Sequence, residues 1–219
     1  MILIVGHKGN MGRRYAAILN HLGKSWTGVD VEWQAAGQKD LQYFDKSALE
    51  GVIVASPTDQ HADHVTHFIK YRVPILCEKP ISKDLGKLKQ VISECRDDEI
   101  KLDMVWQYRN LVTSTSKNPS KYDYFNHGRD GLHWDCIQII SLANGKVQLD
   151  EKSPTWDCVI NGRRLHIDQM DGAYVNMVKL WLKNPKQNLG EIELAHIKVK
   201  ELINENENLN RNTGKINLQ

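Results

Sequence analysis

MILIVGHKGNMG, residues 1–12, sets four apolar residues, Ile2–Val5, against a run with glycine at 6, 9 and 12. Beyond it, Asn10–Leu22 carries Met11, Tyr15, Ile18, Leu19 and Leu22 at helical spacing. Strand, glycine turn and helix therefore follow one another without a gap. Gly6, Gly9 and Gly12 let the backbone turn tightly and approach a phosphate closely. The helix start supplies free N–H groups and the positive end of a dipole. Asn10 and Met11 sit in the same turn and are candidate contacts. The spacing is GxxGxxG, a variant of the usual GxGxxG fingerprint for a dinucleotide pyrophosphate. The plain alternative is a tight turn that holds no ligand.

The alternation continues outward from this turn. Trp26–Val31 reads as a strand, and so does GVIVA, Gly51–Ala55. Asp59–Tyr71 is helical, with Ala62, Val65, Phe68 and Ile69 on one side. Val73–Cys77 is a strand, Lys83–Cys95 a helix and Leu102–Trp106 a strand. Continuously apolar strands between amphipathic helices indicate a parallel sheet covered on both faces. The expected fold is α/β, a Rossmann-type parallel sheet in residues 1–112. The stretch TSTSKNPSKYDYFNHGRDG is polar and turn-rich and marks the boundary. Residues 113–203 form a small α+β second domain. In it Leu132–Leu142 is helical, Lys146–Leu149 is a strand, and Trp156–Ile160 and Arg163–Ile167 flank an Asn161-Gly162 hairpin turn. Helices follow at Ala173–Leu182, which Pro185 ends, and at Ile192–Ile203. Residues 204–219, Asn-rich and polar, are expected to fray.

Composition excludes several classes. The chain has 219 residues and a net charge of +2, from 29 basic and 27 acidic residues. That balance gives no bulk attraction to nucleic acid. No run approaches the ~20 apolar residues of a membrane span. The four cysteines lack CxxC spacing, so neither a zinc site nor a redox dithiol is indicated. Cys77 and Cys158 lie in apolar runs and read as buried thiols. A cytoplasmic setting is expected.

Polar clusters end three successive strands. SPTDQH, residues 56–61, follows GVIVA; Glu78-Lys79-Pro80 follows ILC; WQYR, residues 106–109, follows the next. In an open α/β sheet this edge binds ligands. Asp30 ends the second strand, 24 residues after Gly6. An acid there accepts ribose hydroxyls and repels a 2′-phosphate, and Val31 and Glu32 follow it in place of a basic residue. NAD is therefore favoured over NADP.

These residues carry a resemblance. IVGHKGNMGRRYAAIL, VIVASPTDQHADHV, VPILCEKPIS and the Gln107-Tyr108-Arg109 step are similar, in order and approximate spacing, to the nucleotide-binding domain of the Gfo/Idh/MocA family. That family comprises NAD(P)-dependent sugar and cyclitol oxidoreductases, and the likeness covers about half the chain. It implies that Lys79 lies beside the nicotinamide ribose and the substrate hydroxyl, with Glu78 steadying it. A cation there stabilises charge developing on the hydroxyl oxygen. It implies a cis Lys79-Pro80 bond, and a cofactor lined by Ser56, Pro57, Thr58, His61, Glu78, Lys79 and Gln107. Arg109 would touch substrate. His7, His64 and His67 read as surface residues.

The family commonly sets an Asp and a His at the start of a second-domain helix. The matching stretch is NHGRDGLHWDCIQII, residues 126–140. His133 is the candidate acid/base and substrate contact, with Asp130 or Asp135 as its partner and His127 in reserve. The spacing departs from the family's, since Asp130 precedes His133 by three positions and Asp135 follows by two. The second domain is also short. The expected activity is hydride transfer between NAD and a hydroxyl or keto group of a sugar, nucleotide-sugar or cyclitol. The alternative is an inactive NAD-binding sensor or structural subunit of the same descent. A dihydrodipicolinate-type reductase shares GxxGxMG but not EKP, and stands third. A homodimer or higher homo-oligomer is the default assembly.

Overall fold

A computed structural model describes residues 1–30, 46–106, 122–125, 134, 137, 147–150, 157–160, 163–165 and 170–212. The first sheet has five parallel strands: β1 (Ile2–Val5), β2 (Trp26–Val29), β3 (Gly51–Val54), β4 (Ile75–Cys77) and β5 (Leu102–Met104). Their order is β2-β1-β3-β4-β5. Between them run α1 (Asn10–His21), α2 (His61–Ile69) and α3 (Leu85–Asp97). The central strands β1, β3 and β4 are buried at every position. Their side chains divide by the two-residue period of a strand. Leu3, Val5, Val52, Val54, Ile75 and Cys77 join one core, packed by α2 and α3. Ile2, Ile4, Ile53 and Leu76 join the other, packed by α1. The Rossmann-type sheet expected from the alternation is thus present.

Two more helices complete those cores. They are α4 (Met170–Lys183) and α5 (Leu189–Asn212). Tyr174, Met177, Val178 and Trp181 of α4 lie in the core on the α1 face. Ile192, Ala195 and Val199 of α5 lie in the opposite core. The connection passes the free edge of β5, where the Asn188 N–H donates to the Leu102 carbonyl at 3.0 Å. The Gln187 side chain donates to the Ile100 carbonyl at 3.0 Å. The helix pair straddles the edge strand and covers its unpaired groups. Both helices were expected within residues 113–203, apart from this sheet.

α5 also continues through Asn212, past the expected end at Ile203, so residues 204–212 are helical. Asparagine is a poor helix former. A turn added to a helix already packed costs less than starting one, so propagation outweighs propensity.

The second sheet contains β6 (Tyr122–Phe125), β7 (Val147–Asp150), β8 (Asp157–Ile160) and β9 (Arg163–Leu165), in the order β7-β6-β8-β9. Ile160 pairs with Arg163 across an antiparallel ladder, which confirms the hairpin. Strand β6 was not expected, because YDYF lies inside a stretch read as turn-rich. Among the described residues no helix is long and apolar enough to cross a membrane.

Candidate functional site

The glycine turn is built by close backbone approach. Gly6 has φ +84°, and a Cβ there would lie 2.7 Å from the Ala55 carbonyl oxygen. A Cβ on Gly12 would overlap the Gly6 carbonyl. Both positions therefore require glycine. The Gly6 N–H donates to Val29 O at 2.7 Å, and the Gly9 N–H to Gly6 O at 3.1 Å. Helix α1 starts at Asn10 with Gly9 as its cap, and no side chain caps it. Its first-turn amides point beyond the strand ends, where an anion is favoured.

Asp30 Oδ2 accepts the Lys8 N–H at 2.8 Å and lies 4.0 Å from His7 Nδ1. Asp30 thus shapes the turn as well as facing the cleft. The His7 ring packs where Gly28 leaves room, since a Cβ on Gly28 would overlap it.

Gly6, Gly9, Asn10, Met11 and Asp30 line a cleft of about 740 Å³ together with Ala55, Ser56, Pro57, Thr58 and Asp59. Eight residues expected from the sequence meet there. Ser82, Lys83, Asp84 and Lys87 also line it and were not anticipated. Their signal was the start of α3, where the Asp84 carboxylate caps the helix by accepting the Gly86 and Lys87 N–H groups at 2.6 and 3.2 Å.

Four expected contacts, Gly12, His61, Glu78 and Lys79, are not among the lining residues. Gly12 is buried under the turn. His61 is 2 % exposed. Its Nδ1 is 2.8 Å from Pro80 O and its Nε2 2.7 Å from Ser56 O. It ties the two strand-end loops together, and it is not among the lining residues. Glu78 is buried as well. Its N–H donates to Val54 O at 2.8 Å. Its Oε1 accepts the Tyr15 hydroxyl at 2.6 Å, and its Oε2 accepts the Lys79 N–H at 3.2 Å. Burial, then the neighbouring carboxylate, raises the Tyr15 pKa well above the ordinary value, so the phenol stays a donor. Lys79 is half-buried at the end of β4, and its bond to Pro80 is cis.

Two corrections concern histidines. His64 is buried, not superficial, with Nδ1 2.8 Å from Ser56 Oγ. Burial, then neighbouring His61 and His67, lowers its pKa to about 4. His7 and His67 are half-buried. Gln107, Arg109, Asp130, His133, Asp135 and His127 lie outside the described residues.

Parallel sheet, glycine turn and strand-end cleft together define a Rossmann-type protein. Residues 29–104 match the Gfo/Idh/MocA model, described as an oxidoreductase family with an NAD-binding Rossmann fold. Over residues 29–104 the chain is thus similar to the nucleotide-binding domain of that family, the resemblance that its motifs carry. Inositol 2-dehydrogenase of Rhizobium meliloti is 27% identical over 33% of this chain. The match spans 28% of that enzyme's own length. A Gfo/Idh/MocA family oxidoreductase from Vibrio cholerae aligns with TM-score 0.70 at 11% identity, over 96% of this chain and 99% of that one. The WlbA (WbpB) dehydrogenase from Thermus thermophilus, solved with NAD and UDP-GlcNAcA, aligns with TM-score 0.68 at 12% identity, over 92% and 94%. At these identities the two structures speak for the fold.

Proposed function

We propose that this chain binds NAD in the cleft and interconverts a hydroxyl and a keto group on a sugar, nucleotide-sugar or cyclitol. The observation that carries this reading is the built turn around Lys79. Glu78 is locked by Tyr15, Pro80 lies against His61, and Lys79 stands between them just past the carboxyl end of β4. A cleft lined by glycines and uncapped amides lies at the same sheet edge. The close Gly6 and Gly12 approaches fit a pyrophosphate, and an acid at Asp30 fits a ribose diol.

NAD, when bound, supplies a hydride acceptor or donor. The chain's own residues do the rest. Gly6, Gly9, Asn10 and Met11 hold the phosphates, and Asp30 holds the ribose and disfavours a 2′-phosphate. Ser56, Pro57 and Thr58 flank the cofactor. Lys79 stabilises negative charge on the substrate oxygen as the C–H electron pair leaves. His133, with Asp130, takes the hydroxyl proton, while Arg109 and Gln107 complete the site. One described contact supports that assignment. Trp134, the residue after His133, is buried with its ring 5.9 Å from that of His196, which touches the EKP turn.

The test is nicotinamide fluorescence with NADH and NADPH, followed by turnover on a sugar and cyclitol panel. NADH should bind more tightly than NADPH, and Asp30→Ala should weaken NADH by about tenfold or more. Lys79→Ala should keep cofactor affinity and lose about a hundredfold or more in turnover. Binding of neither cofactor to the wild type would remove the reading. Equal turnover in Lys79→Ala would remove the catalytic role.

A further inference from the structure

The C-terminal helix reaches the EKP turn through one side chain. His196 of α5 is fully buried. Its Nε2 lies 3.2 Å from the Ile81 backbone nitrogen, and its Nδ1 lies 2.7 Å from the Ile192 carbonyl oxygen. The partners decide the tautomer. An amide N–H only donates, so Nε2 must accept. A carbonyl only accepts, so Nδ1 must carry the proton. Among the contacts around this turn, the bond to Ile81 crosses the longest stretch of chain, 115 residues. The same ring faces buried Trp134 at 5.9 Å.

We propose that His196 is a positioning residue for Lys79, fixing the backbone just beyond it. The proposal deepens the oxidoreductase reading, on which its effect on turnover rests. Two imidazoles grip the two polar atoms of one peptide group, Pro80–Ile81. His61 holds Pro80 O, and His196 holds the Ile81 N–H. Lys79 is the next residue upstream. With both contacts made, the lysine Cα has little freedom. Without His196, the Ile81 amide is a buried donor with no acceptor, and the turn must shift to satisfy it. The ring contact with Trp134 adds a second buried neighbour to the same side chain. A core histidine that merely fills space would need neither the accepting nitrogen nor the second ring.

Three forms of the full chain decide the matter: wild type, His196→Phe and His196→Gln. Glutamine can place a carbonyl oxygen near the Nε2 position, and phenylalanine keeps the ring without an acceptor. Hydrogen exchange at the Ile81 amide should rise about tenfold in His196→Phe and return close to wild type in His196→Gln. Turnover should fall by a similar factor in His196→Phe, with NADH affinity unchanged, and recover in His196→Gln. Unchanged Ile81 exchange in a folded His196→Phe overturns the proposal, as does a glutamine variant that exchanges as fast as the phenylalanine one. Nitrogen-15 spectroscopy of the wild-type ring needs no variant. A protonated Nε2 overturns the proposal, and an unprotonated Nε2 with Nδ1–H supports it. Exchange and tautomer are read without turnover. An inactive wild type therefore removes the oxidoreductase reading while these two results still stand.

Discussion

The glycine turn after β1 and the EKP turn after β4 lie on either side of β3 at one sheet edge and are built by opposite means. Residues 6–12 take their shape from side chains that are missing. Gly6 and Gly12 bring backbone against backbone, where any Cβ would collide. Residues 78–82 take theirs from buried polar side chains supplied by distant parts of the chain. Tyr15 comes from α1, His61 from α2 and His196 from α5. The first device is local, steric and indifferent to protonation in its glycines. The second is long-range, made of hydrogen bonds, and includes groups that titrate. Under the proposed function, the first would cradle the cofactor phosphates and the second would fix the backbone that carries Lys79.

Substitutions can break this contrast at either end. Among single substitutions the largest effect belongs to Gly12→Val. The new side chain would overlap the Gly6 carbonyl and the His7 backbone, neither of which can yield. We expect a loss on the order of 3 kcal/mol or more, from overpacking against fixed backbone. Urea unfolding and NADH titration should fail together.

The next effect is a pH dependence. His64 and His196 both have pKa values lowered to about 4, chiefly by burial. When unfolded, each takes up a proton near pH 6.5. Between those values the unfolded chain binds more protons than the folded one, so stability falls as the solution is acidified. It is fully present above about pH 6.5 and is lost as pH drops toward 4, by about 1.4 kcal/mol per pH unit for each ring. Urea midpoints from pH 7 to 4 read the slope. His196→Gln should reduce it by one ring's share, and an unchanged slope would refute the assignment.

Tyr15→Phe gives the smallest effect. It leaves the buried Glu78 Oε1 without its 2.6 Å donor. The expected cost is about 1–3 kcal/mol. A pure packing role for the ring would leave the urea midpoint unmoved.

The same contrast explains what could be read from the sequence. Strands β1, β3 and β4, the glycine turn and the Asp30 position were legible because each is written in neighbouring residues. The β8–β9 hairpin was legible from Asn161-Gly162. The network around Lys79 was not. His61 and His64 stand in SPTDQHADH as ordinary polar residues, and only the folded chain shows which carbonyl or hydroxyl each meets. His196 lies 115 positions from its partner, in a helix whose apolar spacing signalled packing alone. Strand β6 was hidden by its polar flanks. Ser82, Lys83 and Lys87 became cleft residues because α3 starts beside the glycine turn, a relation set by strand order.

The return of α4 and α5 to the first sheet has a consequence for how the protein is made. Trp106 leaves the ribosome 64 residues ahead of Met170, the first residue of α4. At roughly 5–20 residues per second, that is a wait of several seconds. Through it the five-stranded sheet has part of each core uncovered and the β5 edge open. Native closure then requires contacts between the two ends of the chain, which are slow to form. Until α4 and α5 arrive, the nascent chain therefore exposes apolar surface that the finished form covers on both faces of the sheet.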